Sequence, residues 1–222
     1  PNTQEVYDLK GTKYNEYWGW QDGEKRNSRV KRVVEPIVIL NHDWIIDENS
    51  SLETSIGFQF GEMGNSRLGY AGGSNPSPAY YQDLPSYFLA DSDGPDYQGA
   101  YIAQENFVND GQINWNRIYD ANITNNLANI NAAYVLYEDR VDDSQITFNS
   151  AYLKEVNDNI KISTSVNYRN LISDNFAEIT DMLGGSGYSN IDSFDFLDYN
   201  LLVPNSIASE GDKFRYHYNC LL

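Results

Sequence analysis

Apolar and polar side chains alternate strictly along residues 52–60, where Leu, Thr, Ile and Phe occupy the even positions and polar residues or glycine the odd ones. Because residues two apart share one face of a β-strand, this pattern gives a strand with one apolar face. The alternation recurs in residues 160–168 and 214–222, and less regularly in 34–46 and 146–152. The sequence therefore predicts an all-β, antiparallel fold made of amphipathic strands.

The connections between these strands are of two kinds. Residues 47–50 and 157–159 are short polar turns, whereas residues 62–131 and 171–212 are long segments rich in Gly, Asn, Asp, Ser and Pro. Long loops are rare in compact soluble domains, but outer-membrane barrels combine short periplasmic turns with long extracellular loops. The pattern indicates a segment of a transmembrane β-barrel. Within the first loop, residues 113–119 could form a short helix.

Composition narrows the class of protein further. A mean hydropathy of -0.58, without an apolar run of about 18 residues, excludes a transmembrane α-helix. It does not exclude a barrel, whose strands cross in about 9–11 residues and turn only alternate side chains to lipid. The net charge of -17 makes nucleic acid an improbable partner, since phosphate binding needs a basic surface. The single cysteine, Cys220, precludes an internal disulfide.

Residues 132–156 allow two interpretations. They could form one long strand, or two strands joined at residues 139–143. If 52–60 runs outward and the turn at 157–159 is periplasmic, one inward strand must lie between them, which favours the single strand. The polar start lacks a signal peptide and the last strand ends without a turn, so we expect an internal fragment. Residues 1–222 are then part of one C-terminal β-barrel domain.

Aromatic residues in the first long loop are the candidate ligand-binding residues. They could stack on a ligand from the extracellular side, and they are Tyr80, Tyr81, Tyr87, Trp115 and Tyr119. The alternative is that such rings, with Leu84 and Pro85, form the small core that a long loop needs to stay ordered. The sequence favours this core interpretation and leaves the ligand interpretation open.

Acidic clusters and histidines give weaker signals. Asp91, Asp93 and Asp96 are spaced so that they could hold Ca²⁺, but the twelve-residue EF-hand loop and its final Glu are missing, which favours a solvated turn. The acidic group of Asp139, Asp142 and Asp143 could lie at a loop tip beside cation-bridged lipopolysaccharide, or it could belong to a solvated turn. His42 and His217 lack metal-ligand spacing. We expect no metal or other cofactor.

No arrangement of residues favours catalysis. The string Gly184-Gly185-Ser186-Gly187 differs from the G-x-S-x-G motif and lacks the strand-to-helix context that a nucleophile elbow needs. No Ser, His and Asp arrangement stands out elsewhere. The sequence therefore predicts a protein that is not an enzyme.

Four strings fall in the same order as in one known family. They are GWQDGEKRNSR at 19–29, NPSPAYYQDLPSY at 75–87, DMLGG at 181–185 followed by Tyr188, and EGDKF at 210–214. Together they span nearly the whole chain, and they resemble the barrel of Bacteroidetes TonB-dependent receptors. The resemblance implies a barrel of about 22 strands filled by an N-terminal plug, of which this chain would supply about a quarter to a third.

The resemblance also implies a function. Such receptors take up a nutrient ligand across the cell outer membrane, driven by the TonB complex acting on the plug region that this chain lacks. The implied partners are outer-membrane lipid, lipopolysaccharide, and a surface lipoprotein or larger envelope complex. Two alternatives stay open: a transport-inactive barrel that is a structural or plugging partner in an envelope complex, and a secreted glycan-binding β-sandwich.

Overall fold

The computed structural model describes residues 2–90, 92, 94–191, 197–198, 202–203 and 206–221. The chain is mostly β-sheet, with its helices before the first strand and between the fifth and sixth strands. The helices are α1 (Asn2–Lys10), α2 (Pro85–Leu89), α3 (Tyr97–Asp110) and α4 (Trp115–Leu127), with a 3-10 turn at Tyr81–Asp83. The strands are β1 (Trp18–Gln21), β2 (Glu24–Asn27), β3 (Lys31–Val34), β4 (Ile37–Asp47), β5 (Ser50–Tyr70), β6 (Tyr134–Asn157), β7 (Ile160–Asp181) and β8 (Lys213–Leu221).

The main sheet is an antiparallel meander. Its strand order is β3-β5-β6-β7-β8, and β4 pairs with β5 alongside β3. Strands β1 and β2 form a separate antiparallel hairpin. Within the described residues no pairing joins β8 back to β3 or β4, so the sheet is open. The predicted antiparallel, β-rich architecture is confirmed, whereas a closed barrel remains a prediction.

Both short turns have the same construction. Asp47 and Asn157 each end a strand, and the side-chain oxygen of each accepts a hydrogen bond from the backbone N–H two residues later. The donor is Asn49 for Asp47, at 2.8 Å, and Asn159 for Asn157, at 3.0 Å. Asn and Asp favour such turns because the side chain replaces a backbone acceptor. The predicted turns are confirmed as tight hairpins.

Several boundaries differ from the sequence prediction. The predicted loops began at residues 62 and 171, but β5 continues to Tyr70 and β7 to Asp181. The first long connection also contains α2, α3 and α4, and the predicted short helix at 113–119 is the first part of the longer α4. The single-strand interpretation of 132–156 is confirmed by β6, which is 24 residues long.

The chain divides into two compact units, which are described separately. The strand unit comprises Lys31–Asn65, Asp139–Ala177 and Tyr216–Leu222. The helix unit comprises Pro1–Val30, Ser66–Glu138 and Glu178–Arg215. None of the helices in the described part of the chain has both the length and the apolar character that crossing a bilayer requires.

One side of the strand unit, the apolar face, carries the even-numbered hydrophobes. Leu40 of β4 pairs with Ile56 of β5, and Val38 pairs with Phe58, so the apolar side chains of these strands lie together. The hydroxyls of Thr54 and Ser150 lie 3.2 Å apart, which places the even residues of β6 on the same side. The exposed hydrophobes of this face are Val38, Leu40, Trp44, Ile46, Ile56, Phe58, Phe60, Ile146, Ile160, Ile162, Val166 and Tyr168.

The opposite face of the strand unit is mostly polar. Lys161 pairs with Glu155 there, and the Arg169 side chain donates a hydrogen bond to Gln145 at 2.8 Å. Strand β4 is the exception, because it also places Ile37, Ile39 and Ile45 on this side, opposite Gln59, Gly57 and Ser51.

The helix unit has a compact core of its own. Its central cluster consists of Ile113, Trp115, Ile118, Ala133, Tyr134 and Leu183. The fully buried Asn122 of α4 lies beside this cluster and has all its hydrogen-bonding groups satisfied. Its amide nitrogen lies 2.8 Å from the carbonyl oxygen of Tyr134, and 3.0 and 3.1 Å from those of Met182 and Leu183. Its oxygen accepts from the backbone N–H groups of Ala133 and Tyr134. Asn122 thereby links α4 to the chain segments before β6 and after β7.

Candidate functional site

A cavity of the helix unit has a volume of about 490 Å³ and is lined by α3, α4 and the chain before α2. Both long helices start with a side-chain cap at this site. Asp96 accepts a hydrogen bond from the Gly99 N–H at 2.8 Å, and Asn114 accepts one from the Arg117 N–H at 2.9 Å. Such caps satisfy backbone donors that a helix start leaves unpaired. They fix where each helix begins and therefore where its first turn meets the cavity.

Two oppositely charged side chains line the cavity without forming an ion pair. The Arg117 guanidinium donates to the Ser74 hydroxyl at 3.1 Å, and among the described residues neither it nor the Asp83 carboxyl has an ion-pair partner within 4.0 Å. Nearby protein atoms displace water from Asp83 and raise the pKa of its carboxyl, an effect that Arg117 partly offsets. The site thus holds a positive and a negative group apart.

The rest of the wall combines apolar surface with unsatisfied polar atoms. Phe88, Ile102 and Phe107 supply its apolar part. The side-chain oxygen of Gln112 is buried and has no hydrogen-bond partner among the described residues. Tyr14 does not line the cavity, but its ring packs edge-on against Phe107 at 5.3 Å, and its buried hydroxyl also has no hydrogen-bond partner among the described residues. Buried polar atoms are normally paired, so these two atoms are exceptions.

The three predicted loop tyrosines form one cluster. The Tyr80 and Tyr81 ring centroids lie 4.8 Å apart, and Tyr81 and Tyr87 lie 5.8 Å apart. Tyr87 in turn contacts Phe88 at 5.7 Å, and Phe88 lines the cavity. Tyr81 and Tyr87 keep more than two fifths of their surface exposed. Contact of these tyrosines with a ligand remains a prediction.

Trp115 and Tyr119 have a different environment. Trp115 is 0% exposed at the centre of the core, and Tyr119 packs against that core. The indole N–H donates to the Arg26 carbonyl at 3.1 Å, and Arg26 donates to the Tyr119 hydroxyl at 2.8 Å. No ring contact among the described residues joins either to the tyrosine cluster. The core interpretation therefore applies to Trp115 and Tyr119.

Among the described residues, no group of three His, Cys, Asp or Glu side chains is placed to hold a metal ion. Asp91 and Asp93 lie outside the described residues, and Asp96 is the cap of α3. The group at 139–143 lies within β6, so the loop-tip interpretation was wrong: the strand is continuous and does not turn there. Asp142 instead pairs with Arg140 at 2.9 Å. Arg140 also pairs with Glu62, which pairs with Arg32.

The two histidines lie apart from the cavity, in the strand unit. His42 is exposed on β4 opposite Thr54. His217 of β8 lies 2.7 Å from an Asp174 oxygen and packs edge-on against Phe176 at 6.0 Å. Asp174 and Phe176 are therefore local partners of His217 within the strand unit.

The strings that resemble TonB-dependent receptors occupy structural positions in the helix unit. Arg26 of the first string forms an ion pair with Asp181 of the third at 2.5 Å. The same carboxylate accepts from the Leu183 N–H at 2.7 Å, in a turn where Leu183 and Gly184 have φ of 50° and 84°. Phe214 of the fourth string is buried against Tyr137. These strings therefore specify turns and core contacts.

Sequence reasoning missed Asp83, Gln112 and Arg117 as cavity residues. Single charged or amide residues in polar segments carry no periodic signal, and only the fold brings these three to the lining of one cavity. Comparisons of the chain with protein-family models, with curated proteins and with solved structures found no match. The function proposed below rests on the contacts and exposure of the chain itself, together with the resemblance of its strings.

Proposed function

We propose that this chain is part of an outer-membrane β-barrel receptor that takes up a nutrient ligand. The observation that carries the proposal is the apolar face of the strand unit. Phe58, Ile160 and Val166 are 43%, 50% and 61% exposed although they belong to well-paired strands. Soluble monomers rarely expose a contiguous apolar surface of this extent, because contact with water is unfavourable by about 25 cal/mol per Å².

The length of the exposed segments matches the thickness of a bilayer. Strand β4 has 11 residues, all of them exposed. In β7 the first ten residues, 160–169, are exposed, and the strand becomes partly buried from residue 170 onward. A tilted barrel strand needs about 9–11 residues to cross the hydrocarbon layer. The exposed segments therefore have the length of membrane crossings.

The exposure of the apolar face supports a barrel over a β-sandwich, because its hydrophobes are not packed against a second sheet. In a sandwich the apolar face would pack on a second sheet, with the polar face in water. In a wide barrel the apolar face contacts lipid and the polar face lines the lumen. Fluctuating acyl chains can cover the apolar face of the strand unit, whose rings Phe58 and Phe60 stack at 5.2 Å.

The uptake function rests on the resemblance to TonB-dependent receptors. The helix unit, which contains the cavity, would then be built from the long loops of the extracellular side. In the chain, tight turns join β4 to β5 and β6 to β7, whereas the long segments join β5 to β6 and β7 to β8. Lipopolysaccharide, the TonB complex and a surface lipoprotein are proposed partners on the same basis.

A pair of matched lysine substitutions tests the membrane assignment. Phe58→Lys puts a charge on the apolar face, whereas Gln59→Lys puts the same charge one residue away on the opposite face. A lysine facing lipid near the bilayer midplane costs about 2–4 kcal/mol. In density-gradient fractions of cell envelopes, the whole protein should band with the outer membrane, and F58K should be depleted relative to Q59K. Recovery in the soluble fraction, or equal depletion of both variants, would refute the proposal.

A further inference from the structure

Asp83 and Arg117 line the same cavity of the helix unit, and no ion pair joins them among the described residues. Both residues are exposed, so each charge is open to a ligand as well as to water. Arg117 donates to Ser74, which itself lies 3.2 Å from the Tyr134 hydroxyl. Tyr134 also donates to the Ser74 carbonyl at 2.8 Å. The positive group is thus positioned by a hydrogen-bonded network and not by the negative one.

We propose that this cavity binds a small zwitterion, whose ammonium group faces Asp83 and whose carboxylate faces Arg117. A ligand with both charges satisfies both side chains at once. A purely anionic or purely cationic ligand would leave one of them without a partner. If the chain belongs to the receptor proposed above, this zwitterion is the class of ligand that the receptor takes up, and that biological role rests on the proposed function. Binding of the zwitterion to the cavity does not depend on it.

Electrostatics at Asp83 supports this polarity. Loss of water around the carboxyl raises its pKa, so the ionised form lacks part of the stabilisation it has in solution. An ammonium group replaces that stabilisation through a charge-assisted hydrogen bond. Arg117 can bind a carboxylate through two parallel N–H donors.

The remaining wall residues fit the body of such a ligand. Phe88 and Ile102 provide apolar surface for a side chain. A volume of about 490 Å³ lies within the usual range of small-molecule sites, roughly 300–1,000 Å³.

Two other charged groups lie nearby and do not change the assignment. The Lys10 ammonium donates to the Val108 carbonyl at 2.6 Å and lies 5.7 Å from the centre of the Phe107 ring. It is therefore already engaged. Asp110 also lines the cavity and adds a second negative group, which strengthens the preference for an ammonium group at one end of the ligand.

Binding of three related dipeptides to the whole purified protein in detergent tests the proposal. The probes are Ala-Phe, its N-acetyl form, which lacks the ammonium group, and its C-terminal amide, which lacks the carboxylate. Calorimetric titration should show Ala-Phe binding at least about tenfold more tightly than either neutralised form, as loss of one charge-assisted contact implies.

Substitutions assign each charge to its residue. Asp83→Asn should weaken Ala-Phe binding and remove its advantage over the N-acetyl form, while the advantage over the amide persists. Arg117→Gln should do the reverse. The matched controls are Glu105→Gln and Lys13→Gln, exposed charges of the same unit that do not line the cavity, and both should bind all three probes as the unsubstituted protein does.

Equal affinity for the three probes, or no Ala-Phe binding at about 10 mM, would overturn the inference. So would a loss of selectivity in both control variants. Failure here leaves the envelope fractionation of F58K and Q59K unaffected. Conversely, a protein found in the soluble fraction that still distinguishes the probes refutes the membrane proposal and keeps the zwitterion site.

Discussion

Asn122 shows how one polar side chain organises a whole unit at the residue scale. Its amide contacts backbone groups of four residues in two chain segments that are about 50 residues apart, and it is completely buried. A buried group left without its partner costs about 1–3 kcal/mol, and removal of this side chain leaves several such groups. The stability of the helix unit should therefore depend strongly on this residue.

Asn122→Ala should lower the free energy of unfolding by about 3 kcal/mol, because the N–H groups of Ala133 and Tyr134 lose their acceptor. Amide hydrogen exchange of residues 132–136 should become faster. Asn126→Ala, an exposed position on the same helix, is the control and should leave both quantities almost unchanged. Similar exchange in the two variants would show that Asn122 does not hold these segments.

Asp83 gives a pH dependence whose sign follows from its raised pKa. Because the folded-state pKa lies above the ordinary value, folding favours the protonated carboxyl. This contribution to stability is fully present below the unfolded-state pKa and is lost as pH rises through the folded-state pKa. Asp83→Asn should therefore raise Tm at neutral pH and leave it unchanged near pH 3, as measured by thermal unfolding across this range. A variant with lower Tm at neutral pH would contradict the desolvation argument.

Residue types in the sequence could identify the aromatic candidates but not their roles. Trp115 and Tyr80 are both rings in one polar segment, yet one is in the core and the other is in a partly exposed cluster. Asn122 gave no signal at all, since a buried asparagine and an exposed one look alike in sequence. Such roles depend on contacts between residues far apart in the chain.

At the scale of elements, Gly61 lies where β5 changes its partner from β4 to β3. The ladder of β4 with β5 ends at the pair of Ile37 and Gln59, and the ladder of β3 with β5 begins at the pair of Val34 and Glu62. Pro36 lies between β3 and β4. A Cβ atom at Gly61 would lie 2.0 Å from the Val34 carbonyl oxygen, which belongs to the backbone. At Gly57 the nearest atom is the Thr147 hydroxyl at 2.5 Å, and that side chain can rotate.

Gly61→Ala should therefore destabilise the protein by about 1–3 kcal/mol, since backbone atoms must move to make room. Gly57→Ala should cost less, because only one side chain adjusts. Urea unfolding of the two variants in the same detergent measures the difference. If G57A lowered the free energy of unfolding more than G61A does, the close approach of Gly61 to the Val34 backbone would not determine the cost of a side chain there.

The sequence predicted the strands where both faces are exposed and failed where both are buried. Residues 160–169 are all exposed and alternate between apolar and polar side chains, so the period of two is visible. Beyond residue 170, Ser173, Phe176 and Ala177 are all buried, and odd and even positions no longer differ. The alternation disappears there, and β7 seemed to end ten residues early.

Helix α3 and most of α4 were not predicted, for a related reason. In α3 the buried positions are Ala100, Ala103 and Phe107, which have helical spacing but only one large side chain. In α4 the third buried position is Asn122 instead of a hydrophobe. Apolar periodicity is therefore weak in both, and the short helix predicted at 113–119 was placed by composition alone.

At the scale of the whole molecule, the proposed barrel would reconcile two properties of this chain. The strand unit exposes a large apolar face, while the chain as a whole carries a net charge of -17 and a mean hydropathy of -0.58. In a barrel the loops and the lumen side are polar, and only the outer side chains meet lipid. The proposal therefore requires that the even-numbered side chains of the apolar face contact acyl chains.

Fluorescence from a polarity-sensitive label tests this claim position by position. Cys220 is the only cysteine and can be replaced by Ser, after which single cysteines are introduced at Ser55, Ile56, Phe58 and Gln59 and labelled in the whole protein reconstituted into bilayers. We expect labels at 56 and 58 to report an apolar environment and labels at 55 and 59 a polar one. Uniformly polar signals, or the opposite alternation, would contradict the account.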